Sequence, residues 1–275
     1  MAAQTGIVWI DGRDLATDFA FAVTGFGGWP GILASAPRTV PLLSGPETHG
    51  AILDPRLIVR QSGKGALSGI ILGTSLSDGL AKLDALKGLC SQGEVAVRFS
   101  YAPDRYCLAI LDSNDGVGFV PQSIDGVIAV SLSFLVKDGV AYRTNWDGYT
   151  LSTTRVACPI GTAVSYPVVT VHGGGVAFTN PVVTVRNAAG DVVQTHGFTF
   201  SGGADDALII DAARSRISKS AAGTITAGES YWTSGDYVLL RPCDGWPESA
   251  AYPTVEVSSA TGTAQGHIVY QRRYV

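Results

Sequence analysis

Along most of the chain short strand-like segments follow one another, with apolar residues alternating with polar ones or gathered in brief apolar runs. In the first half this holds for "RLIVRQSG", "SGIILG", "EVAVRFSY", "YCLAILDS" and "VIAVSLSFLV". In the second half it holds for "YPVVTVHG", "NPVVTVRN", "THGFTFSG", "DALIID", "RISKS", "YVLLRP", "YPTVEVSS" and "GHIVYQRRY". Asp-Gly pairs punctuate these segments at Asp11-Gly12, Asp78-Gly79, Asp115-Gly116, Asp125-Gly126, Asp138-Gly139, Asp147-Gly148 and Asp244-Gly245. Asp tolerates the left-handed backbone and Gly adopts it freely, so each pair suits a tight hairpin turn. Consecutive antiparallel strands are the expectation.

One segment breaks the alternation. In "TSLSDGLAKLDALKGLC" the residues Leu76, Leu80, Leu83 and Leu86 recur at helical spacing. Ser75 or Ser77 can cap the start, and Gly88 stands where a helix would end, which predicts a helix over about 77–87. Its leucine stripe should pack on a sheet, with a partner groove as the lesser alternative. Residues 1–150 therefore read as a β-rich α+β domain with one helix. Residues 151–275 read as β throughout, a jelly roll or similar sandwich, with the boundary near "NWDGYTLS".

A length of 275 residues suits two domains or one large all-β unit. Apolar residues make up 46% and charged residues 15%, with a mean hydropathy of +0.23. So little strongly solvated surface predicts that part of it is hidden in an assembly. The net charge of −4 divides into −3 for residues 1–150 and −1 for residues 151–275, with no basic cluster. This excludes a duplex-binding footprint. The opening "MAAQTGIVWIDGRD" has neither a basic n-region nor a long apolar stretch, so a secretory signal is not expected. "GVIAVSLSFLV" is too short to span a bilayer. A soluble protein made in the cytosol is the expectation. Cys90, Cys107, Cys158 and Cys243 form no CxxC pair and read as buried reduced thiols, with a single bridge as the alternative.

Candidate chemistry is sparse. "GFGGWPG" (Gly25–Gly31) has Pro30 where a dinucleotide loop needs its third glycine, and it reads as a flexible loop. His49, His172, His196 and His267 show no metal-ligand spacing. No serine lies in GxSxG; Gly73, Ser75 and Ser77 read as the helix start. Asp205-Asp206 in "SGGADDA" reads as a solvated or capping turn rather than a glycosidase pair. Trp9, Trp29, Trp146, Trp232 and Trp246 read mostly as core or interface anchors. In "ALIIDAARSRISKS" Leu208 and Ile210 share one strand face, and "AAR" is a turn. Asp211 then bonds turn amides or pairs with Arg214 or Arg216, with Lys219 on the returning strand. No catalytic, cofactor or metal site is read from the residues.

The order of the pieces carries a resemblance. In the second half "YPVVTV" leads to "TNPVVTVRNAAGD" and "GFTFSGGADDALIIDAARSRI", then to "SGDYVLLRPCDGW" and "HIVYQRRYV". This resembles the galectin-like C-terminal jelly roll of the distal tail protein (Dit) family of long-tailed bacteriophages. "RPCDGW" departs from that family's usual turn, and "WPESAAYP" follows it as an insertion. In the first half "LIVRQSGKGALSGIILGTSLSDGLAKLDALKGLC" and "EVAVRFSYAPDRYCLAIL", with Asp104-Arg105, resemble the family's tail-tube-like strand–helix–strand arrangement. The resemblance implies a structural virion protein of the tail tip. Six copies would form a ring adaptor between the tail tube protein and the tail-tip hub or baseplate. N-terminal domains would build the ring, and DNA would pass its lumen without specific binding. C-terminal domains would point outward, and in some relatives they hold receptor-binding proteins or bind a host glycan. Two other readings stand beside it: a carbohydrate-binding module used in host recognition, on Trp232 and Trp246, and a hydrolase on a β scaffold, motivated only by scattered acids.

Overall fold

Asp11 and Gly12 take positive φ values of 48° and 79° and reverse the chain between β1 (Val8–Ile10) and β2 (Arg13–Asp14). The computed structural model describes residues 7–33, 38–39, 42–43, 52–53, 59–60, 63–112, 117–121, 126–221, 224–227, 232–234, 237–241 and 252–274. They divide into two compact units, Met1–Thr144 with Tyr274–Val275, and Asn145–Arg273. The architecture is mainly β.

In the first unit the Asp14 carboxylate accepts from the Ala16 amide and caps α1 (Leu15–Phe19), a short helix the apolar pattern does not signal. Then follow β3 (Phe21–Gly27), the two-residue strands β4 (Arg38–Thr39), β5 (Leu42–Leu43), β6 (Ile52–Leu53) and β7 (Val59–Arg60), and β8 (Gly63–Leu72). "SGIILG" is thus the later part of a longer strand, since β8 runs unbroken through ten residues, while of "RLIVRQSG" only Val59–Arg60 and Gly63 are among the described residues. After α2 (Leu76–Cys90) come β9 (Glu94–Phe99), β10 (Ala102–Leu111), β11 (Val117–Pro121) and β12 (Val127–Leu151). Antiparallel pairing gives the order β2-β1-β9-β10-β12-β8-β3, with β11 on the early part of β12.

Of the Asp-Gly pairs described in full, only Asp11-Gly12 makes a two-residue hairpin. Asp138 and Gly139 do take positive φ, but as a bulge inside β12, where the register against β10 jumps from Cys107↔Ala141 to Ala109↔Val136. Asp78-Gly79 lies in α2 and Asp147-Gly148 in β12. Asp115, Gly116, Asp125, Asp244 and Gly245 lie outside the described residues.

Ser75 caps α2 by accepting from the Asp78 amide, and the helix passes Gly88 to end at Ser91. A β-carbon at Gly88 would meet nothing within 4 Å, so nothing in the packing forces a stop there. The buried positions are Gly79, Leu83, Leu86 and Cys90, whereas Leu76 and Leu80 are 47% and 38% exposed. The predicted leucine stripe is therefore rotated. Gly79 takes the place of a leucine because its backbone approaches β12: an added β-carbon would stand 3.0 Å from the Gly126 carbonyl oxygen.

The inner face of β8 carries Gly63, Gly65, Leu67, Gly69 and Ile71. Three of these are glycine because bulky groups press on the strand. Added β-carbons would fall within 2.8 Å of Pro30 at Gly63, of Trp29 at Gly65 and of Phe21 at Gly69. "GFGGWPG" is accordingly no flexible loop. Trp29 is fully buried, donates its indole N–H to the Ala66 carbonyl at 3.0 Å, and packs on Phe99 and Phe134. Around it Val8, Ile10, Leu83, Leu86, Val97, Cys107 and Ala141 complete one core.

The second unit begins with the last residues of β12 and continues through β13 (Val156–Ala157), β14 (Val168–His172), β15 (Phe178–Thr179), β16 (Val182–Arg186), β17 (Val192–Phe198), β18 (Ser201–Gly202), β19 (Ala207–Asp211), β20 (Arg216–Ala221), β21 (Thr224–Ala227), β22 (Trp232–Ser234), β23 (Thr254–Ser258) and β24 (Gln265–Tyr274). One run of pairings is β24-β14-β19-β20-β21, and a second sheet is β13-β23-β16-β17-β22. Val169, Val171, Leu208, Ile210, Ile268 and Tyr270 from the first share a core with Val183, Val185, Phe198, Val255 and Val257 from the second, so the two form a sandwich. Of "YVLLRP", the described residues 237–241 form no strand beyond an isolated bridge between Leu240 and Ser165. Val238 and Leu240 are buried, but Leu239 is held by a side chain: Gln194 donates to its carbonyl at 2.7 Å and accepts from its amide at 3.0 Å.

Candidate functional site

The acid-then-base run of the second unit is hairpin chemistry. Asp211 accepts from the Arg214 amide at 3.1 Å and from its guanidinium at 3.0 Å, closing the β19–β20 turn. Asp206 accepts from the Gly203 amide at 3.0 Å and pairs with Lys219 at 2.7 Å, and these contacts, Lys219 first, hold its carboxyl below the usual range. Asp205 and Asp206 therefore do not face each other across a cleft as a hydrolytic pair. Arg186 binds Glu256 through two nitrogens, at 3.1 and 2.9 Å, and Arg155 approaches the same carboxylate at 3.5 Å.

The histidines are dispersed. His172 and His267 lie diagonally across β14 and β24 with ring centroids 5.7 Å apart. Nδ1 of His172 accepts from the Gly174 amide at 3.1 Å, and burial, then the neighbouring imidazole, lower its pKa. His196 is buried against Gln194. His49 lies outside the described residues. Among the described residues no group of three His, Cys, Asp or Glu side chains is placed to hold a metal ion. Cys90, Cys107 and Cys158 are buried and unbridged, and burial pushes each thiol up to about 12. Cys243 is outside the described residues.

The tryptophans split by role. Trp29 is core, Trp146 is 60% exposed, and Trp9 is half-buried. Trp246 lies outside the described residues, and Trp232 is described only as backbone. Arg105, of the Asp104-Arg105 pair, stacks on the Tyr274 ring at 3.6 Å and donates to the Gly31 carbonyl.

The first unit carries an arrangement that no local motif announces. Trp9, Arg98, Tyr106 and Tyr142 are direct cross-strand neighbours on β1, β9, β10 and β12. All four are half-buried on the face opposite the core. The Arg98 guanidinium lies 4.8 Å from the Trp9 ring centroid, and the Tyr106 and Tyr142 rings stack at 5.7 Å. The Tyr142 hydroxyl donates to Asp138 at 2.8 Å. The only trace in sequence is the outward position within "VWI", "VRF", "RYC" and "AYR", and it becomes a row only once the register is set. Elsewhere on the unit Leu76, Leu80 and Asp84 form an exposed stripe along α2. No helix among the described residues is long and apolar enough to cross a membrane.

No family model matches the chain, and no curated protein does. Solved structures do match. The Dit protein of phage SPP1, described as a paradigm of the hub adsorption apparatus in phages infecting Gram-positive bacteria, is similar at a TM-score of 0.72 and 14% identity, over 98% of this chain and 99% of that one. A chain of the phage p2 baseplate in its activated conformation matches at a TM-score of 0.47 and 8% identity, over 94% of this chain and 92% of that one, a level that bears no argument. With agreement of this extent over both units, this chain has the fold of the Dit protein of phage SPP1.

Proposed function

We propose that this protein is a structural component of a phage tail tip: a distal tail protein whose six copies close a ring between the tail tube and the tip hub. The observation that carries the reading is the agreement with the SPP1 Dit fold over both units, 98% of the chain. Composition agrees with it. Only 15% of residues are charged, and exposed apolar side chains such as Leu76, Leu80, Ile110, Leu135 and Trp146 remain on the isolated chain, as expected of a subunit that buries surface in an assembly. The acidic balance suits a lumen that lets DNA pass without holding its phosphates. On this reading the role is mechanical rather than catalytic, the protein resides at the tail tip of the virion, and the second unit is available to receptor-binding proteins or host glycans.

Light scattering of the purified chain, with negative-stain images of the same peak, tests it. The expected result is a mass near six times 28.6 kDa with annular particles, alone or with the tube and hub proteins. A chain that stays monomeric in the presence of both partners overturns the reading.

A further inference from the structure

We propose that the Trp9–Arg98–Tyr106–Tyr142 ladder of one copy receives the Leu76–Leu80–Asp84 stripe of α2 from a second copy, so that these two surfaces of the first unit form the repeating contact between subunits. This rests on the ring reading and supplies its interface.

Arg98 is the reason to look for a partner at the ladder. Its guanidinium is held against Trp9, and among the described residues it meets neither a carboxylate nor a hydrogen-bond acceptor. A cation fixed between aromatic neighbours has already lost much of its side-chain freedom, so docking it costs little further entropy. Trp, Tyr and Arg are also the residue types that dominate binding hot spots. One cation among aromatic rings calls for one carboxylate among apolar groups. A polyanion is disfavoured, because residues 1–150 carry a net charge of −3.

The helix stripe has that composition. Leu76, Leu80 and Asp84 follow one another at four-residue spacing along one side of α2. Both leucines are exposed, and the Asp84 side chain is 76% exposed. The ion pair of Asp84 among the described residues is the 3.8 Å approach of Lys87 from the same helix, which leaves room for a closer partner.

One chain cannot bring the two surfaces together. Val8, Val97, Cys107 and Ala141 point inward beside the ladder, and α2 buries Leu83 and Leu86 in that same core. Ladder and stripe both face away from it. A contact between two different surfaces of identical chains is heterologous, and it closes into a ring when the rotation between copies allows.

Sedimentation velocity on the full chain tests the contact. Arg98→Glu, Asp84→Arg and Leu80→Glu should each weaken self-association by about tenfold or more, with melting temperatures near wild type. The charge swap, Arg98→Glu with Asp84→Arg in one chain, should return association to within about threefold of wild type, which no general destabilisation would do. If Arg98→Glu fails to fold, the two helix variants carry the test. Variants that assemble like wild type, or a swap that rescues nothing, overturn this contact and leave the ring reading standing. A wild-type chain that never self-associates overturns the contact too, and the ring then depends on the trial with tube and hub proteins.

Discussion

At the residue scale, the cysteines show how burial decides chemistry. Cys90, Cys107 and Cys158 sit in the two cores with thiols pushed up to about 12, chiefly by loss of solvent. At pH 8 such a thiol is thiolate about once in ten thousand molecules, and the thiolate is the reacting form. In native protein at most one thiol per chain, Cys243, should react with an aromatic disulfide reagent, against four in denaturant; fast reaction of two or more would contradict the packing. The same shift sets a pH dependence. An unfolded cysteine releases its proton near pH 8.5, whereas the folded ones keep theirs to about 12. Between those values the unfolded state binds fewer protons, so stability falls as pH rises and is fully present below about 8. Each thiol contributes a slope of at most about 1.4 kcal/mol per pH unit. Urea midpoints at pH 7, 9 and 10 should therefore be steady at first and then drop.

At the element scale, β8 is the strand that positions the most. Its alternation places Gly63, Gly65 and Gly69 beneath Pro30, Trp29 and Phe21. Gly65→Ala would set a β-carbon 2.7 Å from the Trp29 ring, and with Trp29 fully buried the ring has little room to yield. Overpacking of this kind costs about 1–3 kcal/mol. Ala66→Ser, one position along on the exposed face, should stay within about 0.5 kcal/mol. Urea unfolding of the two variants compares them, and equal midpoints would refute the packing account. β8 also marks what the sequence could tell. Period-two alternation marks most strands, and the helical leucine spacing marks α2, because both are local properties of the chain. The alternation could not say that "GFGGWPG" is packed, since its partner glycines lie more than thirty residues away. Nor could it place α2's buried face, since Gly79 is inward only because β12 passes close by. Asp-Gly misled for a similar reason: the pair permits a turn, but at 138–139 continued pairing on both sides of it makes a bulge instead. The ladder was the least legible of all. Its four residues are spread over more than 130 positions, and only register brings them into a row.

At the scale of the whole molecule, each unit has a core of its own, and the chain passes between them only twice, at 144–145 and at 273–274. The two ends of the second unit are tied together inside that unit. Arg272 binds Asp147 through two nitrogens at 2.9 and 3.0 Å, both side chains being largely buried. Gly148 lies against Ile268 and Val269. A segment with adjacent ends and a separate core has the anatomy of an autonomous domain. Residues 145–273 expressed alone should therefore give a β-type circular dichroism spectrum and a single cooperative melt. Asp147→Ala in that fragment should lower stability by about 1–3 kcal/mol, because it leaves Arg272 partly desolvated without its carboxylate. A fragment that aggregates or melts without cooperativity would mean that the sandwich depends on the rest of the chain. On the proposed ring reading that outcome matters: a second unit that folds independently can change its surface without disturbing the core of the first unit.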